Sequence, residues 1–290
     1  GARKLISGER PCEFHRNYVM KKIRIRFSKK GKIRFISHRD IARIWERALR
    51  KAQIKIAYSE GFSPRPKISF GLALPTGNES EAEYLDLELE TLIKNDPDEL
   101  DEIKQKINSA LPMGLEVQSV AIKEEGSESL QQSVTSCTWQ FDLHGYNTDE
   151  ANQWLEKILE SSEIVVERER KGKVVVEDLR KQVISIEVIG ETDTGVRVQA
   201  DLGTKPRTLR PSELLAASNP PLKARNVCRM NQWMLQGDER VEPLLNNDAP
   251  APSARLADVI RRELKNVRTN GQAHEIGPSQ RRISRSKTKT

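Results

Sequence analysis

Arg34-Phe35-Ile36-Ser37-His38-Arg39-Asp40-Ile41-Ala42-Arg43 is the stretch whose reading decides the fold, because the hydrophobic period changes inside it. Before it, Ile23, Ile25 and Phe27 alternate with Arg24 and Arg26, the two-residue period of a strand with one buried and one basic face. Ser28 to Lys32 reads as a turn, and Ile33 and Phe35 predict a second short strand ending at Ile36. After it, Ile41, Ile44, Trp45, Ala48, Leu49 and Ala52 fall on one side of a helix of about residues 38 to 52. Ser37 is placed to cap that helix, with Asp40 in the capping-box position. Arg39, Arg43 and Arg47 follow at intervals of four and make a basic stripe along it.

Outward from this centre, Lys55 to Tyr58 predicts a short strand and Lys67 to Leu74 a clearer one. Between them lies a Gly/Pro loop around Gly61-Phe62-Ser63-Pro64-Arg65-Pro66. Glu83 to Glu90 predicts a strand with Leu85, Leu87 and Leu89 inward and Tyr84, Asp86 and Glu88 outward. Asp96 and Pro97 open a second helix as N-cap and first helical residue, and Leu115 to Ile122 closes the unit as a strand. The order strand, helix, strand, strand, helix, strand is that of a ferredoxin-like βαββαβ unit. A second cycle follows. It has strands at Trp139 to Leu143, Val183 to Ile189, Val196 to Leu202 and Leu222 to Leu235. Thr148 caps its first helix, Arg210 to Ala217 is a short helix, and strand-like segments flank Lys171-Gly172. The expectation is an α+β chain of two ferredoxin-like domains in tandem with a flexible basic C-terminal tail. Its divisions are 1–19, an unstructured extension; 20–123, the first domain with the basic face; 124–136, a polar linker; 137–236, the second domain; and 237–290, a mostly disordered basic tail. Met20, directly before the first strand, reads as the initiator.

The chain of 290 residues carries a net charge of +7, which favours an acidic partner without identifying one. Charge is split rather than spread. Residues 21–70 hold 16 Lys/Arg and 3 Asp/Glu, net +13, and residues 79–129 hold 4 and 15, net −11. Such a dipolar unit either steers a polyanion to its basic face or pairs its two poles internally. Cys12, Cys137 and Cys228 are far apart and odd in number, with no metal-ligand spacing, so neither a metal, a cofactor nor a disulfide framework is expected, and the compartment reads as reducing and cytoplasmic. No apolar run reaches membrane-spanning length.

Three groups could carry chemistry. His38, at a helix start beside Arg39, has the environment of a neutral base near an anion-binding cluster, the minimum for cleaving RNA through a ribose 2′-hydroxyl; alternatively it helps cap the helix. Phe62 has the chemistry to stack on a base with Arg65 on a phosphate, or to anchor its loop in the core. Glu83, Asp86 and Glu88 form at most a speculative acidic set, since acidic strand faces are common.

Lys29-x-Gly31-x-x-Arg34-Phe-x-Ser37-His38-x-Asp40, Glu46-Arg-Ala-Leu-Arg50, Ala57-Tyr-Ser-x-Gly-Phe-x-Pro-Arg-Pro66, Ser69-Phe70 and Gly77-x-x-Ser80-x-x-Glu83-Tyr-x-Asp86 together resemble the radical-SAM-linked domain of unknown function. That domain is found as small bacterial proteins and as the C-terminal part of larger cobalamin-binding radical SAM proteins. The resemblance covers Lys22 to Leu235 and implies a partner, a radical SAM enzyme. The Ser-His-x-Asp helix start and the Gly-Phe-x-Pro loop are also weakly similar to ferredoxin-like endoribonucleases that process CRISPR transcripts. These residues contain neither the Cys-x-x-x-Cys-x-x-Cys of an iron-sulfur site nor Asp-x-His-x-x-Gly for cobalamin, so radical chemistry is expected on another chain. The favoured expectation is a non-catalytic accessory protein that presents RNA, tRNA or rRNA, to that enzyme. Arg34, Arg39, Arg43, Arg47, Arg65 and Lys67 would contact phosphate, with Phe62 stacking. The alternatives are a metal-independent endoribonuclease using His38, and a protein-interaction module without nucleic acid.

Overall fold

A computed structural model describes residues 19–123, 126–170 and 172–244. Of the expected extension 1–19 and tail 237–290, residues 1–18 and 245–290 lie outside the described residues, whereas Val19 and residues 237–244 lie within them and Glu239–Val241 forms a strand. The chain is a mixed α/β protein built on one large sheet with few helices.

In the first half, strand β1 (Val19–Lys29) leads through a 3-10 turn (Gly31–Phe35) into helix α1 (His38–Lys51). Strands β2 (Ile68–Phe70) and β3 (Glu79–Lys94), helix α2 (Pro97–Ala110) and strand β4 (Leu115–Ile122) follow. β1 lies between β3 and β4, antiparallel to both, and β2 pairs antiparallel with β3. Ser37 caps α1 as its spacing predicts, accepting a bond from the Asp40 amide, and Asp96 with Pro97 opens α2. Ile41, Trp45 and Leu49 of α1 and Ile103 and Ile107 of α2 pack over Ile23, Ile25 and Phe27 of β1 and Leu85, Leu87 and Leu89 of β3. Trp45 meets Phe27 edge-on at 4.8 Å between ring centroids.

Three local expectations are corrected here. Ile33 and Phe35 do not form a strand. Gly31 sits at φ +64, a left-handed conformation that suits glycine, and turns the chain into a 3-10 helix whose Lys30 amide donates to the Gly114 carbonyl. Lys55 to Tyr58 makes only isolated bridges, Ile56 with Leu89 and Tyr58 with Pro66. Tyr84 and Asp86 are buried, not outward-facing. Tyr84 packs with Ala82 and with Leu130 of a one-turn helix α3 (Leu130–Ser133), and its hydroxyl donates to the Leu244 carbonyl.

The second half contributes β5 (Val134–His144), α4 (Thr148–Glu160), a hairpin of β6 (Val165–Arg170) and β7 (Lys173–Asp178), then β8 (Val183–Thr192), β9 (Gly195–Gly203), α5 (Pro211–Ala216), β10 (Ala224–Gln236) and β11 (Glu239–Val241). The cap of α4 is Asn147, not Thr148; its side chain accepts from the Glu150 amide while Glu150 reaches back, a complete capping box. The hairpin pairs only with itself among the described residues. The remaining strands run in the order β10-β5-β9-β8, all antiparallel. Trp139, Phe141 and Leu143 of β5, Val196 and Val198 of β9, and Leu155 and Ile158 of α4 form the second core.

The halves share one nine-stranded sheet because β10 pairs in parallel with the start of β3, Cys228 opposite Glu79 and Arg229 opposite Ser80. Side chains reinforce that short register. Arg229, 1 % exposed, donates to Glu83 at 2.5 and 3.1 Å and to the Leu72 carbonyl at 2.8 Å, and its guanidinium lies 5.4 Å from the centre of the Trp139 ring. The Ser80 hydroxyl donates to the Arg229 carbonyl and the Gln232 amide to the Ala82 carbonyl. No helix among the described residues is long and apolar enough to cross a membrane.

Candidate nucleic-acid interface

The register of β1 against β3 brings the two charged poles together. Arg24 stands opposite Asp86, and its guanidinium grips that carboxylate at 2.7 and 3.0 Å, with Lys123 adding a contact at 2.9 Å. Arg26 bonds Glu242 at 2.7 Å and Gln118 at 3.0 Å. Lys30 pairs with Glu81 at 2.5 Å, Arg34 with Glu79 at 3.1 Å, and Lys67 with Glu88 at 2.8 Å. The Lys67 hydrogen bond first, and then the charges of Lys67, Lys22 and Lys21, hold the Glu88 carboxyl below its ordinary range against the opposing effect of burial. Across the sheet, then, much of the positive pole answers the negative one. Glu83, Asp86 and Glu88 are each engaged by cations, and among the described residues no group of three or more His, Cys, Asp or Glu is arranged to hold a metal.

What this pairing leaves is the outer face of α1. Arg39, Arg43, Arg47 and Arg50 are all exposed along it. Arg43 bonds Asp40 within the same helix at 3.0 Å, and Arg47 donates to the Arg43 carbonyl at 3.3 Å. Arg39 makes no side-chain hydrogen bond or ion pair among the described residues. The Ser37 hydroxyl donates to Asp40 at 2.7 Å and, with the charge and hydrogen bond of Arg43 and the charge of Arg39, holds its carboxyl below the usual range against the opposing effect of burial. The helix start is therefore a self-contained cap, and the stripe beyond it projects positive charge into solvent.

The loop after α1 presents two further groups. Its neck is closed by the Ser59 amide on the Arg65 carbonyl at 2.9 Å and the Arg65 amide on the Ser59 hydroxyl at 3.0 Å. Beyond this clasp Phe62 is fully exposed, at 112 % of its reference area, so it anchors nothing in the core. The Arg65 side chain is exposed and makes no ion pair among the described residues. Arg34 lies in the 3-10 turn rather than on the α1 stripe, its guanidinium over the exposed ring of Phe35 at 4.8 Å from the centroid.

His38 is exposed; its ring meets Phe70 edge-on, ring centroids 5.4 Å apart, and lines a partly open space of about 10 Å³, room for about one water. Lys29 and Glu83 line the same space. Burial pushes the Lys29 ammonium below its ordinary range, Glu83 partly offsets this, and Lys29 donates to the Ile36 carbonyl at 2.9 Å. Glu83, the one acid in this lining, is engaged by Arg229. His38 thus sits on a wall of the seam between the two cores, with no acid bonded to its ring among the described residues. Cys137 and Cys228 are buried and half-buried thiols, pushed up to about 11 and about 12 chiefly by burial.

None of the curated proteins compared with the chain matches it. Residues 22–211 match the family described as an uncharacterized protein conserved in bacteria (DUF2344), and the chain belongs to that family.

Proposed function

We propose that this protein is an RNA-binding accessory factor, without catalysis of its own, that presents RNA to a separate radical SAM enzyme. The observation that carries the RNA half is the unequal pairing of the positive pole. Lys22, Arg24, Arg26, Lys30, Arg34 and Lys67 meet acids across the sheet, whereas Arg39, Arg47, Arg50 and Arg65 meet none among the described residues. A file of exposed arginines on one helix, followed by a pinned loop carrying Phe62 and Arg65, offers phosphate contacts with a stacking ring nearby in the sequence. The enzyme half rests on the motifs from Lys29 to Asp86 that resemble the radical-SAM-linked domain. On this reading each half is a ferredoxin-like unit, supported by the orders β4-β1-β3-β2 and β10-β5-β9-β8 and by two crossover helices in each.

Cleavage through His38 is not favoured, since its ring is packed on Phe70 and the neighbouring carboxylate is held by Arg229. The test is affinity purification of the tagged full chain after crosslinking, with bound RNA sequenced and co-purifying proteins identified. Enrichment of RNA together with a radical SAM enzyme is expected. Recovery of protein partners with no RNA above background would favour a plain protein-interaction module instead.

A further inference from the structure

A cleft of about 320 Å³ opens where the 3-10 turn, the turn before β3 and the first residues of β10 meet. It lies at the small end of the range for ligand sites, about 300–1,000 Å³. Its parts come from both halves of the chain. Gly77 donates its amide to the Arg34 carbonyl at 2.9 Å, which fixes the two turns against each other. The parallel register of Cys228 with Glu79 joins β10 to β3 beside it. On the β10 side the register shifts between Arg225 and Cys228, and Asn226 stands at φ +50. A bulge of this kind re-aims side chains, and such irregularities gather beside functional sites.

The groups around the cleft are complementary to one unpaired nucleotide. Phe35 is 61 % exposed, and the Arg34 guanidinium lies over its ring at 4.8 Å from the centroid, so a base would stack on the opposite face. The Nε of Arg34 is buried and has no hydrogen-bond partner, although Nη1 bonds Glu79. Arg225 is exposed and forms no ion pair among the described residues, so it is available to a phosphate. The Asn78 backbone amide donates to the Pro75 carbonyl at 3.2 Å, but its side-chain amide makes no hydrogen bond among the described residues, and Asn226 uses its NH2 on Asp142 at 2.9 Å and keeps its side-chain carbonyl. Aromatic face, cation and amides in one small cleft make the set that splayed, single-stranded bases engage.

We propose that this inter-half cleft seats a single unpaired nucleotide of the bound RNA, its base stacked on Phe35 and its phosphate on Arg225. The proposal rests on the RNA-binding reading and adds to it a preference for single-stranded over duplex RNA. The α1 stripe supplies general affinity, and the cleft selects an unpaired position.

The test measures binding of the full chain to a labelled single-stranded oligouridylate and to a fully paired RNA duplex of equal length. Phe35→Leu is expected to weaken the single-stranded probe by about 5- to 150-fold, with Phe35→Tyr restoring it. Arg225→Ala is expected to lower the salt slope for that probe by about 0.7. Both should leave the duplex unaffected, whereas Arg39→Ala weakens both probes. Circular dichroism on each variant checks that the fold is kept. Binding that depends on Arg39 but is indifferent to Phe35→Leu and Arg225→Ala overturns the cleft and leaves the RNA reading standing. No binding of either probe overturns both.

Discussion

Removing the carboxylate of Glu83 should damage this protein more than any surface change. Glu83→Ala takes away two of the three hydrogen bonds of Arg229, at 2.5 and 3.1 Å, and leaves only the Leu72 carbonyl at 2.8 Å. The guanidinium is 1 % exposed and sits over Trp139, so water cannot replace the lost partner without opening the seam. Stranding one member of a buried pair costs about 3–5 kcal/mol. At roughly 2–4 °C per kcal/mol for a folded unit of this size, the midpoint should fall by roughly 6–20 °C. The loss falls where β10 meets β3 over only the Glu79 and Ser80 positions, so it strikes the join between the halves. Replacing both partners, Glu83→Leu with Arg229→Met, removes the stranded charge and should recover most of the stability, because a well-packed apolar pair is often neutral or better. Thermal and urea melts of the two singles and the double, followed by circular dichroism, close the cycle. A Glu83→Ala loss below about 1 kcal/mol, the range of an exposed ion pair, would refute the claim that this pair is a desolvated clasp.

Three further outcomes follow from the geometry. A Cβ on Gly114, at φ +95, would lie 2.5 Å from the Lys30 carbonyl, so Gly114→Ala should cost about 1–3 kcal/mol in a urea melt and loosen the turn that carries Arg34 and Phe35. Burial pushes the Asp142 carboxyl up, but hydrogen bonds from Arg197 at 2.7 Å and Asn226 at 2.9 Å and the Arg197 charge outweigh it and hold it below its ordinary range. Its contribution is therefore full above the unfolded value of about 4 and is lost as pH falls through the lower folded value, so the stability gap between wild type and Asp142→Asn should narrow on acidification below about pH 4. In a Cys12→Ser background, Cys137 and Cys228, pushed up to about 11 and about 12, should resist a maleimide near neutral pH until denaturant is added; rapid native labelling would contradict their burial.

Local features of the chain were legible because they depend on neighbours in sequence. Ser37, Asp40 and the apolar face of α1 sit within a few residues of one another, as do Asp96 and Pro97 at the start of α2. The alternation of β1 and β3 marked the strands, and the helices between them fixed the order in the first half. Pairings across the sheet were not legible. Nothing near Arg24 announces that the register will set it opposite Asp86, 62 positions away, so alternation alone predicts an acidic outward face where a buried ion pair lies. Ile33 and Phe35 alternate like a strand, but a run this short also fits a 3-10 turn, and Gly31 and the Gly114 carbonyl decide for the turn. The clasp of Arg229 on Glu83 joins residues 146 apart and left no local trace. For the candidate interface, the stripe of Arg39, Arg43 and Arg47 was visible as a spacing, but only the ion pairs reveal that Arg34 and Lys67 face acids of β3.

The central claim is that the outer face of α1 binds RNA phosphates, and its most direct test is the salt dependence of binding. Affinity for a labelled RNA should be measured over a series of salt concentrations for the wild type and for Arg39→Ala/Arg43→Ala/Arg47→Ala. Each lost phosphate contact removes about 0.7 from the slope of log affinity against log salt, so the triple variant should bind more weakly with a slope shallower by about 2. A triple variant that keeps the wild-type affinity and slope would contradict the account.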